Sequence, residues 1–174
     1  MSNSELKQRD LNAFLEFLEA ADVFNDISGQ STKVTFADIS RQADLISEEG
    51  HFEMNEALDS SDLVGVLDAT ADTLFVTLGM LQKLRNKGLD VSRALAQVAF
   101  DNLSKYPTDI NTVLETVKMY EDNGIQVTSS YYEDNKVYVI KNTNDKVMKP
   151  FGFVGTDLTK YVPVDLINEF KKGK

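Results

Sequence analysis

The sequence predicts a mainly α fold, a four-helix-bundle core followed by a small C-terminal β-hairpin and extended tail. Three observations carry that expectation. Apolar residues recur at three- and four-residue spacing near the start of the chain, as in Leu11, Phe14, Leu15, Leu18 and Ala21. The run VLDATADTLFVTLGML is apolar nearly all the way round, the pattern of a helix covered on every side. After Gly124 the texture changes to short stretches of β-branched and aromatic residues.

The first helix is expected from about Ser4 to Phe24, and NDISGQSTK ends it with turn residues. A second helix starts near Thr35 or Phe36 and runs to about Leu58. DSSD is a tight connection whose Ser61 or Asp62 caps a third helix, Leu63 to about Asn86. RNKG closes that helix with basic residues and a glycine in the stop position. Asp90 caps a fourth helix through Lys105, and Pro107 opens another, TDINTVLETVKMYEDNG. IQVTSSYY and KVYVIKN, on either side of EDN, form a hairpin. DKVMKPFGFVG is irregular or extended, and PVDLINEFKK is a short terminal helix. The helical core is thus placed at 1–123 and a β-containing extension packed on it at 124–174, one domain overall.

A chain of 174 residues, 42% hydrophobic and 26% charged, belongs to neither the disordered nor the membrane-embedded class. With no cysteine, disulfides, thiolate nucleophiles and sulfur-ligated metals are excluded. MSNSELKQRDLNAFLEF turns amphipathic at once, without a basic-then-apolar leader pattern. Leu63 to Leu84 is long enough to cross a membrane, but Asp68 and Asp72 near its centre argue against that role. The expectation is a soluble, cytoplasmic protein with no membrane partner. A formal net charge of −10 argues against nucleic acid, whose binding depends on cations laid on phosphates. It also means that any phosphate-bearing ligand needs a local inversion of the field, by a divalent cation or a few placed lysines.

The acidic residues of the second and third helices fall in an informative place. At the α-helical repeat, Glu49, Glu53 and Glu56 share a sector of roughly 60°, with Glu48 at its edge. Leu45, Ile46, Phe52 and Ala57 border that sector, so the glutamates sit inside the apolar stripe. Asp68 and Asp72 repeat the arrangement on a line with Val64, Ala71 and Phe75. The short DSSD connection makes the two helices antiparallel neighbours whose acidic faces meet. A buried carboxylate without compensation costs on the order of several kcal/mol. A solvated acidic face is the plain alternative, and Arg41, Lys83 and Arg85 are the available salt-bridge partners. A hard divalent cation compensates better: Mg²⁺ takes oxygen ligands and leaves positions for water or phosphate.

DLISEEGHFEMNEAL followed by VLDATADTLFVTLG resembles the paired-helix signature of the MazG-type all-α NTP pyrophosphohydrolases, in the phosphoribosyl-ATP pyrophosphohydrolase-like branch. That signature is a double glutamate, a third glutamate three residues on, then an acid and an aspartate one helix later. VAFDNLSK and DKVMKPFGFVGTDL are similar to segments that follow it in phage and bacterial members, so the likeness runs from Phe36 to Val162. Aligned on EAL, Glu49 and Glu53 match the first and third glutamates and Asp72 the closing aspartate. Two positions depart: Gly50 takes the place of the second glutamate, and Ala69 that of the later acid, with Asp68 one residue earlier.

The resemblance implies Mg²⁺-dependent cleavage of a (d)NTP to the (d)NMP and pyrophosphate, for house-cleaning or nucleotide-pool control, with Mn²⁺ able to substitute. It implies Glu49, Glu53, Asp68 and Asp72 as metal ligands, and catalytic roles for Glu48, Glu49 and Glu56, a proton acceptor among them. Asn102, Lys105, Lys146 and Lys149 are the candidate phosphate-binding residues. Base selectivity is not legible, and His51 projects away from the acids as a solvated histidine. Surplus apolar surface at Met54, Leu58 and around the third helix implies a homodimer or homotetramer. The alternative, motivated by Gly50 and Ala69, is a catalytically altered nucleotide-sensing or protein-binding module of the same fold; a purely structural helical adaptor is the third reading.

Overall fold

The computed structural model describes residues 3–32 and 34–172 and is mainly α, with one two-stranded antiparallel sheet among the described residues. The chain divides into two compact units, Met1–Val91 with Tyr161–Lys174, and Ser92–Lys160. The break drawn from composition at residue 123 falls inside the second unit, and the terminal helix belongs to the first.

In the first unit, α1 (Asn3–Ile27) lays Phe17 and Phe24 edge-on against Phe75, with ring centroids 5.7 and 5.3 Å apart. Phe75 lies on α4 (Leu63–Asn86), the apolar helix expected from the sequence. Between them, α2 (Phe36–Ser47) starts with a capping box in which Thr35 Oγ1 accepts from the Asp38 amide and the Asp38 carboxylate accepts from the Thr35 amide. A π-helical segment, Glu48–Glu53, follows α2, and α3 (Met54–Asp59) continues it. Of the two caps expected for α4, Asp62 serves: its Oδ1 accepts from the Val64 amide at 3.0 Å, while Ser61 makes the turn at φ 58°.

A buried polar layer joins α1, α2 and α4. Gln42 Nε2 donates to the Val76 carbonyl at 2.8 Å, and Gln82 Nε2 to Asp26 Oδ1 at 3.3 Å. Lys83 is 2% exposed, and its Nζ donates to the Gln30 carbonyl at 2.8 Å. Asn86 Nδ2 holds the Ser31 carbonyl at 2.6 Å, so α4 fastens the connection that leads into α2. α4 ends at a glycine with φ 105°, Gly88, as the RNKG stop signal requires. The final helix, numbered α7 (Val164–Lys172), returns to this unit with Phe170 on the Phe36 ring at 4.6 Å and Glu169 on Lys87 at 3.1 Å. Among the described residues α4 is the helix long and apolar enough to cross a membrane by length and composition, with mean hydropathy 1.5.

The second unit holds α5 (Val91–Leu103) from Ser92 onward, α6 (Ile110–Asp122), β1 (Val127–Tyr132) and β2 (Val137–Asn142). The strands pair from Val127 opposite Asn142 to Tyr132 opposite Val137. Ile140, Val113 and Thr116 are fully buried between the hairpin and α6. The helix expected to open at Pro107 instead begins at Ile110, because Asp109 takes the cap and accepts from the Thr112 amide at 2.8 Å. Pro107 is buried, and its carbonyl accepts from the Tyr138 amide at 2.8 Å, which ties the connection to β2. α5 ends at Leu103, two residues before the expected Lys105.

Candidate active site

The site grows from the departure of the helix at Ser47. From Glu48 to Glu53 the backbone bonds in the wider π pattern, which wraps one extra residue into the turn. Residues beyond it are turned back by about 100° relative to a continuous α-helix. On this wrap Glu53 falls in phase between Glu48 and Glu49, and Phe52 swings outward to 65% exposure. Phe52 therefore does not border the acidic sector as a continuous α-helix would have it. Ala57, by contrast, is buried as expected.

The π segment packs on α3 and α4. Gly50 meets Thr73 there: a Cβ at position 50 would stand 3.2 Å from Thr73 Cγ2 and 3.3 Å from its Oγ1. Glu49 is half-buried, and its Oε2 is enclosed without any hydrogen-bond partner. Its carboxyl is held above the ordinary carboxylate value. Burial is the main cause, followed by repulsion from Glu53 and Asp72, a hydrogen bond to Glu53, and repulsion from Glu48. One residue on the π segment thus feels acids from its own turn and from α4.

Asp68 and Asp72 are both exposed, so neither bears the burial cost that an apolar α4 led us to expect; Glu49 does. Asp72 is among the strongest influences on Glu49, and Asp68 and Glu56 are both exposed. The three basic residues available for neutralisation are engaged elsewhere. Arg41 holds Asp38 at 2.8 Å, Arg85 faces Asp22 at 3.6 Å, and Lys83 donates to Gln30 at 2.8 Å. No ion pair among the described residues reaches Glu48, Glu49, Glu53 or Asp72.

An oxygen-only donor set around an orphaned carboxylate oxygen fits a hard divalent cation. Among the described residues no group of three or more acids or histidines stands close enough together to hold a metal ion. The remaining candidates lie in the second unit. Lys105 Nζ donates to Asn102 Oδ1 at 2.7 Å, and Asn102 Nδ2 to the Val98 carbonyl at 2.9 Å. Lys149 Nζ stands over the Phe153 ring at 5.4 Å, and Lys146 is exposed. His51 is exposed, with Nδ1 3.1 Å from Asn55 Nδ2.

The π turn is what sequence reasoning missed, and its signal was in the spacing. The family pattern puts the third glutamate three residues after a double one, whereas here Glu48 and Glu49 are followed by Glu53, one residue later. A π turn absorbs one extra residue, so Glu48–Glu49 can serve as the double glutamate and Gly50 as part of the insertion.

One comparison with known proteins agrees with the resemblance. The family model of phosphoribosyl-ATP pyrophosphohydrolase matches residues 18–102, from α1 through α5 and including every acid of the site. No curated protein and no solved structure matches the chain significantly. Residues 18–102 thus match a family that belongs to the MazG-like all-α NTP pyrophosphohydrolase superfamily, and the architecture of the chain is mainly α, as that likeness implies.

Proposed function

We propose that the protein is a Mg²⁺-dependent pyrophosphohydrolase that cleaves a (d)NTP to the (d)NMP and pyrophosphate, in house-cleaning or nucleotide-pool control. The observation that carries this reading is the enclosed, unpartnered Glu49 Oε2 among Glu53, Asp72 and Glu48, with no basic side chain on it. Glu49, Glu53 and Asp72 would hold the cation, with Asp68 completing the set and Mn²⁺ serving in place of Mg²⁺. When bound, the cation screens phosphate charge and lowers the pKa of a coordinated water. Glu48 is exposed and close enough to act on Glu49, so it is assigned as acceptor of the water's proton, with Glu56 the alternative.

A panel of canonical and modified (d)NTPs together with phosphoribosyl-ATP, assayed for pyrophosphate release with and without Mg²⁺, tests this reading. Turnover of at least one nucleotide is expected, abolished in Asp72→Asn and in the absence of metal. Silence across the whole panel at full metal saturation would defeat it. Nucleotide-dependent thermal stabilisation without product would instead favour the sensing module.

The reading includes a homodimer or homotetramer. Leu63 is 80% exposed and Leu67 71%, with Val64 and Leu58 exposed beside them, all close in sequence to the acids of α3 and α4. That much uncovered aliphatic surface calls for a partner helix face. Light scattering is expected to give a multiple of the 19.5 kDa chain mass. Leu63→Glu with Leu67→Glu should shift it to the mass of one chain, and a wild-type monomer would contradict the assembly. An acidic surface and α4 aspartates speak for a cytoplasmic protein without nucleic-acid or membrane partners.

A further inference from the structure

We infer that Gly50, through its close approach to Thr73, is a positioning residue for the carboxylate cluster. It allows the π turn to wrap onto α4 so that Glu49 and Glu53 face Asp72. The inference rests on the reading of the site as a cation site. Gly50 is neither in a left-handed conformation nor at a turn between elements. Its requirement is therefore one of space, not of backbone freedom.

The space is tight on one side only. An added Cβ would meet Thr73 Cγ2 at 3.2 Å and Oγ1 at 3.3 Å, and the Thr73 Cβ only at 3.9 Å. Thr73 cannot swing aside freely, because its Oγ1 donates to the Ala69 carbonyl at 2.6 Å on the buried side of α4. A methyl group at position 50 must therefore push the π segment away from α4. Glu49 is the residue beside Gly50 and Asp72 the residue before Thr73, so the displacement moves the segment that carries Glu49 away from the helix that carries Asp72.

The same geometry explains how an extra residue is tolerated. A residue inserted into a continuous α-helix rotates everything after it by about 100°, carrying Glu53 off the face shared with Glu48 and Glu49. The π turn takes up that rotation within Glu48–Glu53. Deleting Gly50 leaves Glu48, Glu49, His51, Phe52 and Glu53 in succession, a spacing that a plain α-helix presents on one face.

The test is direct Mn²⁺ binding to the full chain, by electron paramagnetic resonance of free metal, with melting curves for each variant. Gly50→Ala is expected to weaken Mn²⁺ binding about tenfold to a hundredfold, the loss typical when metal-site support is disturbed. Thr73→Ala removes both clashing atoms and should bind within about threefold of wild type. The double variant should recover to that level, a coupling of contacting residues. Deletion of Gly50 should keep its helicity and bind within about tenfold of wild type. If Gly50→Ala does not fold, the double variant and the deletion carry the test, and Mn²⁺ loss in either as a folded protein overturns the inference. So does a Gly50→Ala protein that binds like wild type, or one not rescued by Thr73→Ala. Wild-type protein that binds no Mn²⁺ would sink the cation site itself and this inference with it, a result distinct from indifference to position 50.

Discussion

Glu49→Gln is expected to lower pyrophosphate release at least about a hundredfold while raising the melting temperature of the metal-free protein by about 2–4 °C. Both effects come from one cause. The Glu49 carboxylate has an enclosed oxygen with no partner and is pressed by Glu53, Asp72 and Glu48. Without a cation that charge opposes folding, and an amide relieves it by donating to a neighbouring carboxylate. With a cation the same charge is what binds. Stability and activity therefore move in opposite directions at this position.

The pH dependence has a definite sign. Glu49 titrates higher in the folded chain than its ordinary value of 4.5, so the folded state holds that proton more tightly than the unfolded one. Its contribution to stability is greatest at low pH and falls as pH rises from the ordinary value through the raised one. Asp38, Asp101, Asp109 and Asp157 have the opposite sign, because hydrogen bonds from Thr35, Thr156, Thr112 and Thr159 hold them below the carboxylate norm. Their stabilisation is lost as pH falls. Subtracting the Glu49→Gln melting profile from the wild-type profile isolates the Glu49 slope, which should reverse sign when Mg²⁺ is added, because the cation binds the ionised carboxylate. A flat difference profile in metal-free buffer would contradict the enclosure of this carboxylate.

Lys83→Met is expected to destabilise the first unit by about 2–3 kcal/mol and to leave Mn²⁺ affinity unchanged. Lys83 is almost fully buried and donates to the Gln30 carbonyl at 2.8 Å, with Gln30 Oε1 at 3.4 Å. Removing the ammonium leaves that carbonyl without its donor in the layer that fastens the connection before α2. The stability loss is read as a lower urea midpoint. Were Lys83 the counter-ion of the acids, the variant would instead bind metal more tightly, since a competing cation would be gone. A large gain in Mn²⁺ affinity is the outcome that would contradict its assignment to the polar layer.

The helices were legible wherever local chemistry and packing agreed. Thr35 with Asp38, Asp62 and Gly88 each mark an end by side-chain or backbone chemistry that acts within a few residues. The hairpin was legible from its β-branched and aromatic runs, and its register follows the short connection between them. Pro107 misled because a proline suits both a helix start and a strand-side connection; Tyr138, distant in sequence, decides between them. The return of α7 to the first unit depends on Phe170 meeting Phe36, a contact that no periodicity can reveal.

At the site, the acids were legible as a set but their phases were not. A constant rotation per residue puts Phe52 beside the glutamates, while the π turn exposes it; Glu53 and Glu56 are exposed too, although their phase placed them in the apolar stripe. The apolar composition of α4 implied that Asp68 and Asp72 were buried, yet much of that helix is uncovered within a single chain. Composition reports what a helix can bury, not what covers it.

The most direct measurement is the melting temperature of wild-type protein and of Glu49→Gln across a Mg²⁺ titration at neutral pH. Wild-type protein should rise saturably as the cation binds the folded state, while Glu49→Gln should start higher and stay flat. A wild-type curve that ignores Mg²⁺, or a Glu49→Gln curve that follows it, would show that the enclosed carboxylate is not a cation ligand.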